Sequence, residues 1–254
     1  MSRLEKTNTA VVDENNEAEI ILELKAATKD FGGIKAVDRF DMIVNKGELR
    51  CLIGPNGAGK STIFKLIMGV YPPSSGSVLL KNQDITKYPT WKRARAGLSI
   101  KMQIPGVYGE LTLRDNIRIA VQNYCHKNEI ESEIDRLIKL VGIESLGNPL
   151  VKNLSHGQQQ WLEIAMSLGS KPTLLLLDEP VAGMGPDETE FTANIIQRLN
   201  DSGLTIIFID HDMEFVRRIA EKVTVLHYGC LFAEGSLEEI EANEDVINIY
   251  LGTE

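Results

Sequence analysis

Short runs that are apolar throughout alternate along the chain with longer stretches in which apolar residues recur every three or four positions. Ile20-Ile21-Leu22-Glu23-Leu24 reads as the opening of a first strand. Phe40–Val44 and Glu48–Ile53 read as two more, separated by the turn signal Asn45-Lys46-Gly47. The third strand runs into a glycine-rich loop, and Ser61–Met68 predicts the helix that follows. Between about Gly106 and Ser170 the pattern changes: Ile130–Val141 and Trp161–Leu168 carry helical spacing with no strand-like run between them, so a mostly helical insertion is expected. Leu174–Leu177 and Thr205–Ile209 are uniformly apolar and bounded by turn or acidic residues, as buried parallel strands are, with a joining helix near Glu188–Leu199. Val223–Leu226 predicts a further strand, then a short hairpin and a terminal helix. No internal repeat or low-complexity tract interrupts the series.

Composition narrows this picture. With 254 residues, 43% apolar and 25% charged, the chain suits one α/β domain carrying a smaller subdomain. Residues 1–19 are polar and acidic and read as a disordered leader. Met1 to Ile20 shows no apolar signal core, and no run approaches the length of a membrane span. The expectation is a cytoplasmic chain, held at the inner face of a membrane only through a partner. A net charge of −9 argues against a nucleic-acid partner, since the sole basic cluster, Lys92-Arg93-Ala94-Arg95, fits a solvated helix face. The three cysteines form no C-x-x-C pair, as in a reducing compartment.

Two segments carry candidate chemistry. Gly54-Pro55-Asn56-Gly57-Ala58-Gly59-Lys60-Ser61, followed by Thr62, satisfies the phosphate-binding pattern G-x-x-x-x-G-K-[ST] between a strand and a helix. Its glycines let backbone N–H groups curl around an anion, Lys60 neutralises terminal phosphates, and the Ser61 hydroxyl can ligate magnesium. Leu174-Leu175-Leu176-Leu177-Asp178-Glu179 is a buried strand ending in two acids. Many strands exit into carboxylates; beside a phosphate loop, Asp178 would hold magnesium through water and Glu179 would orient or deprotonate the attacking water.

Leu154-Ser155-His156-Gly157-Gln158 has two compatible readings. Ser155 and Gln158 form an S-x-x-Q capping box for the helix carrying Trp161, Ile164, Ala165 and Leu168. The segment also resembles the L-S-G-G-Q signature of the ABC ATPase family, with His156 in place of the first glycine. His156 reads as a spacer whose backbone matters more than its ring. In that family the signature serine and its helix N-terminus face the γ-phosphate held by the opposite subunit, a role the resemblance gives to Ser155, Gly157 and Gln158. It likewise gives Gln103 the place of the glutamine that reaches magnesium and touches the membrane partner, His211 that of the histidine contacting the γ-phosphate, and Phe31 that of the aromatic stacked on adenine.

The resemblance runs from about Ile20 to Gly252. It implies a RecA-like P-loop NTPase core with an antiparallel β-subdomain (20–105 and 171–230), a helical subdomain (106–170) and a C-terminal segment (231–254). The implied reaction is magnesium-dependent ATP hydrolysis by two chains clamping two nucleotides head to tail. The implied partners are a second ATPase chain, the same or related, transmembrane permease subunits and an extracytoplasmic solute-binding protein. Ser155–Ile164, Asp178–Met184, Val223–His227 and Tyr250-Leu251-Gly252 look like the urea-transporter ATPase of the branched-chain amino acid and amide uptake group. Two positions depart from that pattern, Met102 where phenylalanine is usual and Gly106 inside the usual Pro-Thr-Val; Gly185 stands where many ABC ATPases at large carry aspartate, a position at which the uptake group often varies too. DNA-repair relatives would need a long coiled-coil insertion, translation factors two cassettes, and a purely regulatory module would be expected to lack Glu179.

Overall fold

The computed structural model describes residues 19–103 and 106–251; most of the acidic leader lies outside them. Strands β1 (Ile20–Phe31) and β2 (Ile34–Asn45) form an antiparallel hairpin, each twelve residues long. They extend well beyond the apolar runs that predicted them. The turn between them is Gly32-Gly33, both at positive φ, a conformation that costs glycine nothing. Strand β3 (Leu49–Ile53) leaves for a second sheet and is followed by α1 (Lys60–Met68). β4 (Ser75–Leu80) and the two-residue β5 (Gln83–Asp84) return to the first sheet, in the order β2-β1-β4-β5. The sequence pattern gave no sign of these two strands, because Ser75-Gly76-Ser77 reads as a turn until β1 supplies its partner.

After α2 (Thr90–Arg95) and β6 (Leu98–Lys101), the chain builds a helical layer from α3 (Leu113–Val121), α4 (Ile130–Val141) and α5 (His156–Ser167). It then returns through β7 (Leu174–Asp178), α6 (Pro186–Asp201), β8 (Thr205–Ile209), α7 (Met213–Ile219), β9 (Lys222–His227) and β10 (Cys230–Gly235). Two short helices, α8 (Leu237–Glu241) and α9 (Glu244–Leu251), close the described chain. The second sheet has the order β10-β9-β3-β8-β7-β6, parallel from β9 to β6, with β10 antiparallel at its edge.

Strand periodicity splits the core in two. Leu175, Leu177, Ile206 and Phe208 face one side and pack with Ile117, Ile134, Leu137 and Leu162 of the helical layer. Leu174, Leu176, Ile207 and Ile209 face the other, against Ile63, Phe64 and Ile67 of α1 and Leu22 and Phe40 of the antiparallel sheet. Each such side chain contributes about 1.5–3 kcal/mol on burial, so a register slip would be severely penalised.

Two buried arginines fix the frame around the glycine-rich loop. Arg50 of β3 pairs with Glu48 and Glu234 and donates to the Ile43 carbonyl of β2 at 2.7 Å, joining the two sheets. Arg93 of α2 donates to the carbonyls of Leu66 and Ile67 at 2.7 Å each, and to those of Thr86 and Tyr88. It thereby satisfies the C-terminal end of α1. Burial pushes its guanidinium down to about 10, so it stays charged at neutral pH.

Candidate active site

The C-terminal ends of parallel strands β3, β7 and β8 open into the three segments singled out by sequence, 54–62, Asp178-Glu179 and Asp210-His211. Ligands of open α/β sheets bind at this edge.

The loop from Gly54 to Gly59 is shaped by its glycines. A Cβ on Gly54 would overlap the Leu226 carbonyl oxygen and one on Gly59 the Ala36 carbonyl oxygen, both residues being at positive φ. Gly57 faces open space, and Asn56, Gly57 and Ser61 are exposed. Ala58 is buried, pinning the loop, while Pro55 is half-buried and its carbonyl accepts from Ala58 N–H at 3.1 Å. Helix α1 has Gly59 as its N-cap and no capping side chain, so its first N–H groups are left for an anion beside Ser61 and Thr62. Lys60 lies back along the loop, its Nζ donating to the carbonyls of Gly54 at 2.6 Å and Pro55 at 3.0 Å. Burial lowers its pKa against the pull of Glu179 and Asp178. A cation held among bare amides suits a polyphosphate.

Asp178 is buried at the end of β7, and burial, reinforced by neighbouring Glu179, raises its pKa. Glu179 adopts φ 46°, the left-handed region unusual for a non-glycine residue and associated with functional strain. Gln103 Nε2 donates to Glu179 Oε2 at 2.7 Å, so the structure brings Gln103, Asp178 and Glu179 together beside Lys60. Among the described residues no cluster of three or more His, Cys, Asp or Glu side chains forms a metal cage. A hydroxyl (Ser61), an amide oxygen (Gln103) and a carboxylate (Asp178) are instead the sparse, hard oxygen set that suits magnesium completed by water and phosphate.

The remaining candidates stand further out. Asp210 Oδ1 accepts the backbone N–H of His211 at 2.8 Å and of Asp212 at 3.0 Å; Asp210 is buried and its pKa raised by that burial. The His211 ring itself is exposed, with Asp210 3.9 Å away as its only ionic neighbour among the described residues. Phe31, at the end of β1, is exposed, edge-on to Tyr71 at 5.2 Å between centroids, with Lys29 Nζ 5.0 Å over its ring.

Helix α5 begins with the capping box read from sequence. Ser155 Oγ accepts from Gln158 N–H at 3.2 Å, and Gln158 Oε1 accepts from Ser155 N–H at 3.0 Å. Glu188 of α6 accepts from Ser155 Oγ at 3.3 Å, and its carboxylate lies against Gly157, where a Cβ would have to displace it. Among the described residues, the side-chain hydrogen bonds of Ser155 and Gln158 go to each other and to Glu188, and none goes to residues 54–62. His156 Nε2 lies 3.1 Å from Gln160 Nε2 on its own helix. Sequence reasoning missed Lys101 and Glu163, both buried beside this site; an unaccompanied lysine ending the run Leu98-Ser99-Ile100 was the available signal.

Fold and site together define a P-loop nucleotide hydrolase with an additional antiparallel sheet and a helical layer. Residues 37–182 match the ABC transporter family, and the chain belongs to that family. It is 33% identical over 249 residues to the high-affinity branched-chain amino acid transport ATP-binding protein BraF of Pseudomonas aeruginosa, covering 91% of this chain and 98% of that one. It is 33% identical to the lipopolysaccharide export system ATP-binding protein LptB of Escherichia coli, covering 91% and 97%. The crystal structure of the ADP conformation of MJ1267, an ATP-binding cassette of an ABC transporter, superimposes with a TM-score of 0.84 at 28% identity, over 92% of this chain and 99% of that one. The chain is thus a magnesium-dependent ATPase with the RecA-like core, antiparallel sheet and helical layer of an ABC cassette.

Proposed function

We propose that this chain is the ATP-hydrolysing subunit of an importer of the branched-chain amino acid and urea group, working as half of a head-to-tail ATPase pair. Gly54–Thr62 hold the phosphates and Phe31 the adenine ring. Ser61, Asp178 and Gln103 hold magnesium, which when bound neutralises charge on the phosphoryl oxygens. Glu179 accepts the proton of the attacking water, and His211 turns toward the terminal phosphate. Ser155, Gly157 and Gln158 serve the nucleotide of the opposite chain. Residues 106–170 form the helical subdomain, and the closing stroke of the pair is passed to permease subunits, fed by an extracytoplasmic solute-binding protein. No helix among the described residues is long and apolar enough to cross a membrane, which suits a cytoplasmic chain docked on such subunits.

The observation that carries the reading is the meeting of phosphate loop, Asp178, Glu179 and Gln103 at neighbouring strand ends, with Gln103 2.7 Å from Glu179. The importer assignment is supported by the near full-length similarity to BraF and to the branched-chain amino acid protein LivG of Escherichia coli. Glu179→Gln should retain ATP binding and lose steady-state hydrolysis by at least ~10²-fold. Turnover near the wild-type rate would move the base elsewhere. For the solute, permease subunits that co-purify with the chain should be placed in vesicles together with their solute-binding protein, and ATP-driven uptake of leucine, an amide and urea compared. Transport out of the cytoplasmic compartment, or of none of these solutes, would overturn the importer reading.

A further inference from the structure

Lys101, the last residue of β6, is fully buried, yet among the described residues no carboxylate lies within ion-pair distance of it. Its Nζ rests on two backbone oxygens of the neighbouring strand end, the carbonyls of Asp178 at 3.4 Å and Glu179 at 3.3 Å. The charge that offsets it most is Glu163, buried on α5 two turns beyond Ser155. Glu163 Oε1 accepts the Gly106 N–H at 2.9 Å, and Oε2 is buried without a partner. Buried ammonium and carboxylate groups are costly unless they are paired or hydrogen-bonded, and removing one partner strands the other.

Lys101 is one of three groups that contact Glu179. The left-handed backbone of Glu179 is held by its own N–H donating to the Ile209 carbonyl at 2.9 Å and by its carbonyl accepting from Lys101, while Gln103 holds its carboxylate. Two of these three holds come from residues two positions apart, 101 and 103, at the end of β6. The Gly106 N–H is in turn tied to α5 through Glu163. We propose that Lys101 is a positioning residue for Glu179 and that Glu163 is its counter-charge. This rests on Glu179 being the base, as argued above.

The test uses Lys101→Met, Glu163→Gln, the double variant and Glu179→Gln in the full chain, with Tm, ATP affinity and steady-state kcat measured on each. Lys101→Met should lower kcat at least ~10-fold with ATP affinity within about 2-fold. It should also lower Tm, since it strands Glu163. The double variant carries neither buried charge, so its Tm should return toward wild type while kcat stays low. That variant keeps the test informative if Lys101→Met alone folds poorly. In a Glu179→Gln background, Lys101→Met should cause no further loss. Recovery of kcat together with Tm in the double variant would show that Lys101 only stabilises the fold, and would overturn the proposal. Full activity in Lys101→Met with none in Glu179→Gln overturns this inference alone; full activity in Glu179→Gln overturns both readings.

Discussion

Ser155 has two duties assigned to it, and substitutions can pull them apart. As a cap it exchanges two hydrogen bonds with Gln158, 3.2 and 3.0 Å long. Alanine there should cost about 0.5–2 kcal/mol, whereas glycine, tolerated at N-caps, should cost only a few tenths. For a chain of this size about 1 kcal/mol moves Tm by roughly 2–4 °C. Helix α5 stays folded in either variant because Leu162, Ile164 and Ala165 anchor it in the core. As a phosphate ligand, the hydroxyl makes a hydrogen bond to a charged group, worth about 1.5–3 kcal/mol, or roughly 10- to 100-fold in ATP turnover. Ser155→Gly is therefore expected to leave Tm almost unchanged and to cut hydrolysis by that factor. The location of the loss is read by mixing Lys60→Ala chains with Ser155→Arg chains, each inactive alone. Head-to-tail pairing puts both lesions in one site of a mixed dimer and neither in the other. Random 1:1 pairing makes half the dimers mixed, each with one live site, so about one quarter of the wild-type rate should return. If the natural partner is a related ATPase, Lys60→Ala stays here and the partner's signature serine is disabled instead. Mixed dimers captured through two tags that show no activity, while dimers of one wild-type and one mutant chain remain active, would refute the composite site. Full activity in Ser155→Gly would reduce Ser155 to a cap.

Further outcomes follow from single side chains. Asp178 has a pKa above the ordinary carboxylate value through burial and Glu179, so its ionised form destabilises the metal-free fold at pH 7 and that cost disappears as pH falls below the unfolded value. Asp178→Asn should raise the metal-free Tm by about 2–4 °C, for roughly 1 kcal/mol, and abolish the additional stabilisation that ATP gains from magnesium; a lower metal-free Tm would contradict the argument. Gly59→Ala must force a Cβ into the Ala36 carbonyl at φ 104°, and should weaken ATP binding at least ~10-fold by titration, with retained affinity showing that the loop can relax. Arg93→Met strands the Leu66 and Ile67 carbonyls and should cost about 3 kcal/mol in urea unfolding, against almost nothing if water replaces the guanidinium. Tyr108, exposed five positions after Gln103, should on replacement by alanine impair transport more than basal hydrolysis; equal loss of both would give it a folding role.

The parallel strands at the site were legible because they are buried on both faces: Leu174–Leu177 and Thr205–Ile209 carry continuous apolar runs that the structure extends by at most one residue. The phosphate loop was legible because Gly54 and Gly59 answer to close backbone contacts that a side chain would violate. Helix α4 was located to its ends by spacing alone. β4 and β6 were not, since Ser75–Leu80 and Leu98–Lys101 become strands only through partners distant in sequence. Helix α3 carries Leu113, Ile117 and Val121 at four-residue spacing behind a Thr112 cap, yet is only nine residues long and was absorbed into the general helical expectation. The pairing of Gln103 with Glu179, 76 positions apart, and the burial of Lys101 depend on strand order, which local patterns do not encode.

Arg50 binds the sheet that ends in the phosphate loop to the sheet that ends in Phe31. The aromatic face and the loop amides therefore stand on one frame, as the jaws of a calliper whose opening is set before anything enters. A gauge of that kind measures reach and flatness. On the proposed reading, that spacing lets a planar base lie on Phe31 while its phosphates reach Lys60 and the α1 N-terminus. A phenyl ring offers no donor or acceptor to the edge of a base, so as a gauge it is indifferent to whether the base is adenine or guanine.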